Sequence, residues 1–104
     1  MASVISNIPH VAVNITTASG TSAAFLPPGA TEGGFISVVA VGTWSSASVV
    51  VHLGSEDGGR YAPAENGTFT ADIAKTLFVG RGCRAKIVWS GGGAGTDVDF
   101  DFIS

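Results

Sequence analysis

A single cysteine, Cys83, excludes an intramolecular disulfide framework. Charge is scarce as well. Charged side chains make up 12% of the 104 residues, about half the ~25% usual for soluble domains. Their placement is uneven: ahead of Ser55 the only charged side chain is Glu32, and all five lysines and arginines lie from Arg60 onward. The formal net charge is −3, and no basic cluster is tighter than Arg81, Arg84 and Lys86. Nucleic-acid binding needs several phosphate contacts from such residues, so no nucleic-acid partner is expected. Long apolar runs are absent too. Nothing approaches the roughly 18 consecutive apolar residues of a membrane helix, and no membrane span is expected. The opening MASVISNIPH has neither a positive n-region nor a long apolar h-region, which predicts no secretory leader and synthesis in the cytoplasm.

Hydrophobic residues, by contrast, make up 45% of the chain. The length suits one domain with a real core. A charge-poor chain with this much apolar side chain and no membrane span needs somewhere to hide it. Contacts with other subunits are the expected place, and a homo-oligomer is predicted.

The patterning is that of short strands. Phe35–Val41 has apolar residues on both rows (Phe35, Val39 and Val41; Ile36, Val38 and Ala40), which predicts a strand covered on both faces. With Ser48–Leu53 it is expected to form a central β-hairpin, turned by Gly42, Ser45 and Ser46 and closed at the far end by Asp57-Gly58-Gly59. Residues 1–9 lack patterning and read as an extended arm, leaving 10–104 as the folded domain. Alternation from His10 to Thr16 predicts a half-buried strand, and Thr21–Leu26 a second short one, broken by Pro27-Pro28-Gly29. Pro63–Gly67 reads as loop, Thr68–Ala71 as strand, Asp72–Lys75 as one helical turn capped by Asp72, and Leu77–Val79 as strand. Further on, Cys83, Ala85, Ile87 and Trp89 form an inward row, Gly91–Gly95 a flexible link, and Val98, Phe100 and Phe102 the inward row of a last strand. About eight short strands with Gly/Pro turns and no long helix indicate an all-β single domain, a sandwich or barrel.

Residues with chemical potential are few. Asp97, Asp99 and Asp101 share a strand face but are spread along it at about 6.7 Å intervals. They lack the curled backbone, glycine and later glutamate of a calcium loop. A solvated face paired across strands with Arg84 (to Asp101) and Lys86 (to Asp99) is the expectation, and no metal site. Cys83 on an apolar row and His52 on a polar one do not make a nucleophile pair. No G-x-S-x-G elbow and no phosphate loop occur. No catalytic residue and no cofactor are predicted, and the chain is expected not to be an enzyme. Trp44, Trp89 and Tyr61 leave a sugar-stacking platform open, which requires Trp44 and Tyr61 exposed together.

The run Gly42-Thr43-Trp44, Ala47-Ser48-Val49-Val50-Val51, Ser55-Glu56-Asp57-Gly58-Gly59 resembles a segment common in small virion proteins of tailed bacteriophages. Gly82-Cys83-Arg84-Ala85-Lys86-Ile87-Val88 followed by Gly91-Gly92-Gly93 is similar to a second such segment. Together they span about half the chain, and the capsid decoration (cement) proteins are the nearest sub-group. The resemblance implies a jelly-roll-like β-sandwich, a homotrimer, the major capsid protein as partner, a place on the capsid surface, and no catalytic residues. The arm and the N-terminal half, where Glu32 is the one charged side chain ahead of Ser55, are expected to make the contacts, with Val4, Ile5, Ile8, Pro9, Phe25, Leu26 and Trp44 as the candidate interface. A head–tail connector or tail component, or a carbohydrate-binding sandwich module, shares the same composition.

Overall fold

The computed structural model describes residues 10–55 and 59–104. The arm assigned to residues 1–9 lies outside them. The described residues form eight strands: β1 (His10–Ile15), β2 (Gly20–Thr21), β3 (Gly34–Thr43), β4 (Ser48–Gly54), β5 (Tyr61–Phe69), β6 (Ile73–Val79), β7 (Arg84–Ser90) and β8 (Asp97–Ile103). They build two antiparallel four-stranded sheets, A in the order β1-β8-β3-β6 and B in the order β2-β7-β4-β5. Two such sheets, with the chain crossing between them at nearly every connection, make a jelly roll.

Period-two alternation explains the packing. Ile15, Ile36, Val38, Leu77, Val79, Val98, Phe100 and Phe102 from sheet A meet Val49, Val51, Phe69, Ala85 and Ile87 from sheet B, all buried. Each fully buried Val, Leu, Ile or Phe contributes about 1.5–3 kcal/mol. Phe100 is central: Phe69 packs edge-on to it at 5.3 Å and Trp44 at 6.0 Å.

Pairing departs from expectation in several places. β3 and β4 do not form a hairpin, because they belong to different sheets. The turn between them is as expected: Ala47 N–H donates to Trp44 O at 2.8 Å, and Ser45 and Ser46 both have positive φ. It serves as a corner, setting Val38 and Ala40 against Val49 and Val51 across the core. Among the described residues the only strands consecutive in sequence that pair are β4 and β5. Ser55 N–H donates to Arg60 O at 3.1 Å beyond their ends, and Asp57 and Gly58 of the expected turn lie outside the described residues. Nor is β3 covered twice. Its Ile36 row is buried, while Phe35 is 72% exposed and Val41 51%.

The expected loop at Pro63–Gly67 lies within β5, where the register slips: residues 64–67 stand opposite Val51 alone. Pro63 is tolerated because β5 is an edge strand, and Asn66 Nδ2 donates across to Thr76 O of β6 at 3.1 Å. The strand assigned to Thr68–Ala71 ends at Phe69. No helical turn forms at Asp72–Lys75, since β6 begins at Ile73. Lys75 sits on the inward row opposite Val38, and its ammonium reaches out over the Phe69 ring to Thr68 O. The strand assigned to Thr21–Leu26 is interrupted after Thr21. There Ser22 Oγ replaces a carbonyl as acceptor for Ile87 N–H at 2.9 Å, and the ladder resumes as a single bridge, Phe25 to Ala85. Finally, the Gly91–Gly95 link is an ordered corner. Thr96 is buried in it, with Oγ1 donating to Gly93 O at 2.8 Å, and Gly92 N–H bonds Ala18 O at 3.0 Å.

Candidate interaction surface

The acidic row and the basic pair stand on opposite faces of the molecule. β7 lies in sheet B and β8 in sheet A, so Arg84 and Lys86 do not pair with Asp101 and Asp99. Apolar rows on β7 and β8 face one another across the core, which forces their polar rows apart. Lys86 instead lies opposite His52 on the outer face of sheet B, with its ammonium 4.4 Å from the Tyr61 ring centre.

On the outer face of sheet A, β8 lies between β1 and β3, and its carboxylates find partners on β1. Asn14 Nδ2 donates to Asp97 Oδ1 at 2.9 Å and to Asp99 Oδ1 at 2.8 Å. His10 Nε2 lies 2.9 Å from Asp101 Oδ1. Among the described residues no group of three or more His, Cys, Asp or Glu side chains converges as metal ligands would. Cys83 is part-buried against the core, while His52 faces outward on sheet B, so the two do not meet.

Beyond the acidic row, the same face changes character. The outward row of β3 pairs with the outward row of β6: Phe35 with Phe78, Ser37 with Thr76, Val39 with Ala74. Phe35 and Phe78 meet edge-to-face at 5.4 Å and stay 72% and 58% exposed. Val41 continues the row next to Asp99, and Val39 lies next to Asp101. Half of this sheet face is therefore uncharged and mostly apolar, bordered along one side by three carboxylates. Large apolar side chains gathered on one surface mark a contact with another molecule.

Sequence reasoning missed Phe35, Val39, Val41, Ala74 and Phe78. Their mark is the second apolar row of β3, which reads equally as a row covered within the fold. Of the residues named from sequence, Val4, Ile5, Ile8 and Pro9 lie outside the described residues. Phe25 packs edge-on to Phe102 at 5.1 Å, against the core. Leu26 is exposed, in a surface depression shared with His10 and Pro27–Thr31. His10, the first described residue, therefore lies near Leu26. Trp44 is half-buried against Phe100, and its indole N–H donates to Asp72 Oδ1 at 2.8 Å. That carboxylate also accepts Gly42 N–H at 3.0 Å. The Trp44 bond, then the Gly42 bond, hold the Asp72 carboxyl below its ordinary range, against a smaller desolvation effect.

Trp44 precedes β4 and Tyr61 pairs with Gly54 at its far end, about 20 Å away at strand rise. They form no common platform for a sugar. No family model, curated protein or solved structure matches this chain.

Proposed function

We propose that this chain is a non-enzymatic assembly protein: a capsid decoration (cement) subunit of a tailed bacteriophage, made in the host cytoplasm and carried on the virion surface. The observation that carries the reading is the uncharged apolar half-face of sheet A, where Phe35, Phe78 and Val41 are each more than half exposed. Large apolar side chains gathered on one exposed face favour a contact with another molecule. A subunit that works inside a shell makes such contacts. The resemblance of the Gly42–Gly59 and Gly82–Gly93 segments to small phage virion proteins selects the kind of shell.

In this reading the chain is a homo-oligomer, a trimer as among the proteins it resembles, and its partner is the major capsid protein. Residues Val4, Ile5, Ile8 and Pro9 of the arm, together with the exposed Leu26 near His10, supply apolar contacts to the shell. The work is done by mass action. A subunit that binds the assembled shell and not its free components stabilises the shell by RT ln(1 + [L]/Kd), about 2.7 kcal/mol per site at a hundredfold excess over Kd. No bond is made or broken in this scheme, so no catalytic residue, metal or cofactor takes part.

The test is co-sedimentation with expanded phage capsids stripped of their decoration protein. Saturable binding that raises the temperature of capsid disruption is the expected result. Failure to bind at saturating concentration refutes the reading. Deleting residues 2–9 is expected to weaken binding while leaving the domain folded; full binding by the deletion variant removes the arm from the scheme.

A further inference from the structure

We infer that the β3–β6 half of the outer face of sheet A is a self-association surface, and that its occupant is a second copy of this chain. This deepens the assembly reading by naming the partner of that surface.

Area is the first argument. Exposures of 72% for Phe35 and 58% for Phe78 leave these two rings with about 250 Å² in water, given ~150–250 Å² for a whole aromatic side chain. Val41, Ala74 and the part-buried Val39, with the polar Ser37 and Thr76 between them, extend the face to about 500 Å² per copy. Two copies then bury about 1,000 Å², the lower bound for a specific interface and the range of reversible association.

Charge is the second argument, and it selects the occupant. No charged side chain stands on the outward rows of β3 and β6, and the exposed Glu65 of β5 borders Phe35 and Phe78 beyond them. Two such half-faces therefore meet without burying an ion as long as Glu65 stays at the wet rim. Asp97, Asp99 and Asp101 lie one strand further over. In a face-to-face pair with its dyad between β3 and β6, each acidic row overhangs the edge of the other copy. The two rows are then three strand spacings apart laterally, ~14 Å, well beyond the ~8 Å Debye length at physiological salt. A copy shifted to cover the whole sheet brings the rows into opposition instead. The carboxylates thus limit the contact to the apolar half and remain as its wet rim.

Sedimentation of the purified full chain, from micromolar to near-millimolar concentration, tests the inference. The wild type is expected as a dimer or trimer in equilibrium with monomer. Val39→Asp places an unpaired carboxylate at the centre of the contact and is expected to weaken association about 100-fold; the double variant Phe35→Ser/Phe78→Ser is expected to do the same. Val88→Asp, on the outer face of sheet B, is expected to leave association unchanged. Circular dichroism confirms that each variant is folded, since all four positions are on outward rows. A wild type that stays monomeric throughout overturns the inference, as does association that survives Val39→Asp in a folded protein. If Val39→Asp and Lys86→Glu are each monomeric but pair when mixed, the contact is head-to-tail between sheets A and B, and the face-to-face arrangement is overturned. A monomer that still binds capsids defeats this inference alone. An oligomer that ignores capsids defeats only the cement reading.

Discussion

Gly42 pairs with Val98 near the end of β3, and replacing it with alanine tests the register of β3 against β8 in sheet A. A Cβ at this position falls 2.2 Å from the Asp97 carbonyl oxygen and 2.7 Å from Val98 Cα. Carbon–oxygen contacts of this type settle at about 3.3–3.6 Å, so the two backbones must part by about an ångström. β8 has little freedom to yield, because it is paired on both sides, with β1 and with β3. Overpacking of this kind costs about 1–3 kcal/mol. The φ of +157° adds backbone strain for an L-residue, about 1–3 kcal/mol more. Gly34, at the other end of the same strand, separates the two terms. Its φ is +142°, yet a Cβ there meets nothing within 4 Å. Gly34→Ala therefore carries strain alone, about 1–2 kcal/mol, whereas Gly42→Ala carries strain and collision, about 4 kcal/mol. Urea titrations followed by circular dichroism measure both, with equal m-values required before the midpoints are compared. At ~4–8 °C per kcal/mol for a domain of this size, Gly42→Ala is expected to melt at least 10 °C below Gly34→Ala. Equal stability of the two variants refutes the register between Gly42 and Val98, and with it the placement of β8 beside β3.

Phe100→Ala removes the ring that Trp44 and Phe69 both pack against and is expected to cost about 3–5 kcal/mol in the same titrations; a loss below about 1 kcal/mol refutes its central place. Asp72 has a lowered folded-state pKa, so its contribution is fully present above its unfolded value, about 3.9, and is lost as pH falls through the lower folded value. Urea midpoints measured on either side of that range are expected to fall for the wild type and to fall less for Asp72→Asn; parallel curves refute the assignment. Asn14→Ala removes the amide that bridges Asp97 and Asp99 and is expected to cost about 0.5–1 kcal/mol at low ionic strength, shrinking at ~1 M salt where the carboxylates are screened. A cost independent of salt means that Asn14 acts through packing instead.

Fold class was legible because alternation is local. Val98, Phe100 and Phe102 against Asp97, Asp99 and Asp101 specify a half-buried strand whichever strands lie beside it, and the same holds for β7 and for the corner at Ser45-Ser46. Strand partners were not legible. In a jelly roll nearly every connection crosses the core, so the strand next in sequence lies opposite rather than alongside. Apolar rows pointing inward satisfy both arrangements equally, which is why β3–β4 and β7–β8 read as neighbours. Short-range cues misled at Asp72 and Pro63 for a related reason. An aspartate ahead of Ile73-Ala74-Lys75 resembles a helix cap, but the N–H groups it satisfies belong to Gly42 and Trp44, some thirty residues earlier. Pro63 breaks a ladder only where its missing N–H faces a neighbour, and an edge strand has a side with none.

The proposed contact surface was hidden by the same property of alternation. A row of apolar side chains records that a face is covered, not what covers it. In β3, Ile36, Val38 and Ala40 are covered by sheet B, while Phe35, Val39 and Val41 have no second layer over them. The two rows look alike in sequence because burial beneath a sheet of the same chain and burial beneath another copy impose the same chemistry on a side chain. They differ in what borders them. The Ile36 row has Leu77 and the stem of Lys75 beside it on β6 and the buried Phe100 and Phe102 on β8, whereas the outward row has Ala74 and Phe78 on one side and the three aspartates on the other. An apolar strip with a carboxylate border is what a two-strand contact requires: side chains that exclude water in the middle and charges that stay wet at its limit. The scarcity of charge elsewhere in the chain sharpens this division, since the carboxylates of β8 lie on the one face where a border is needed.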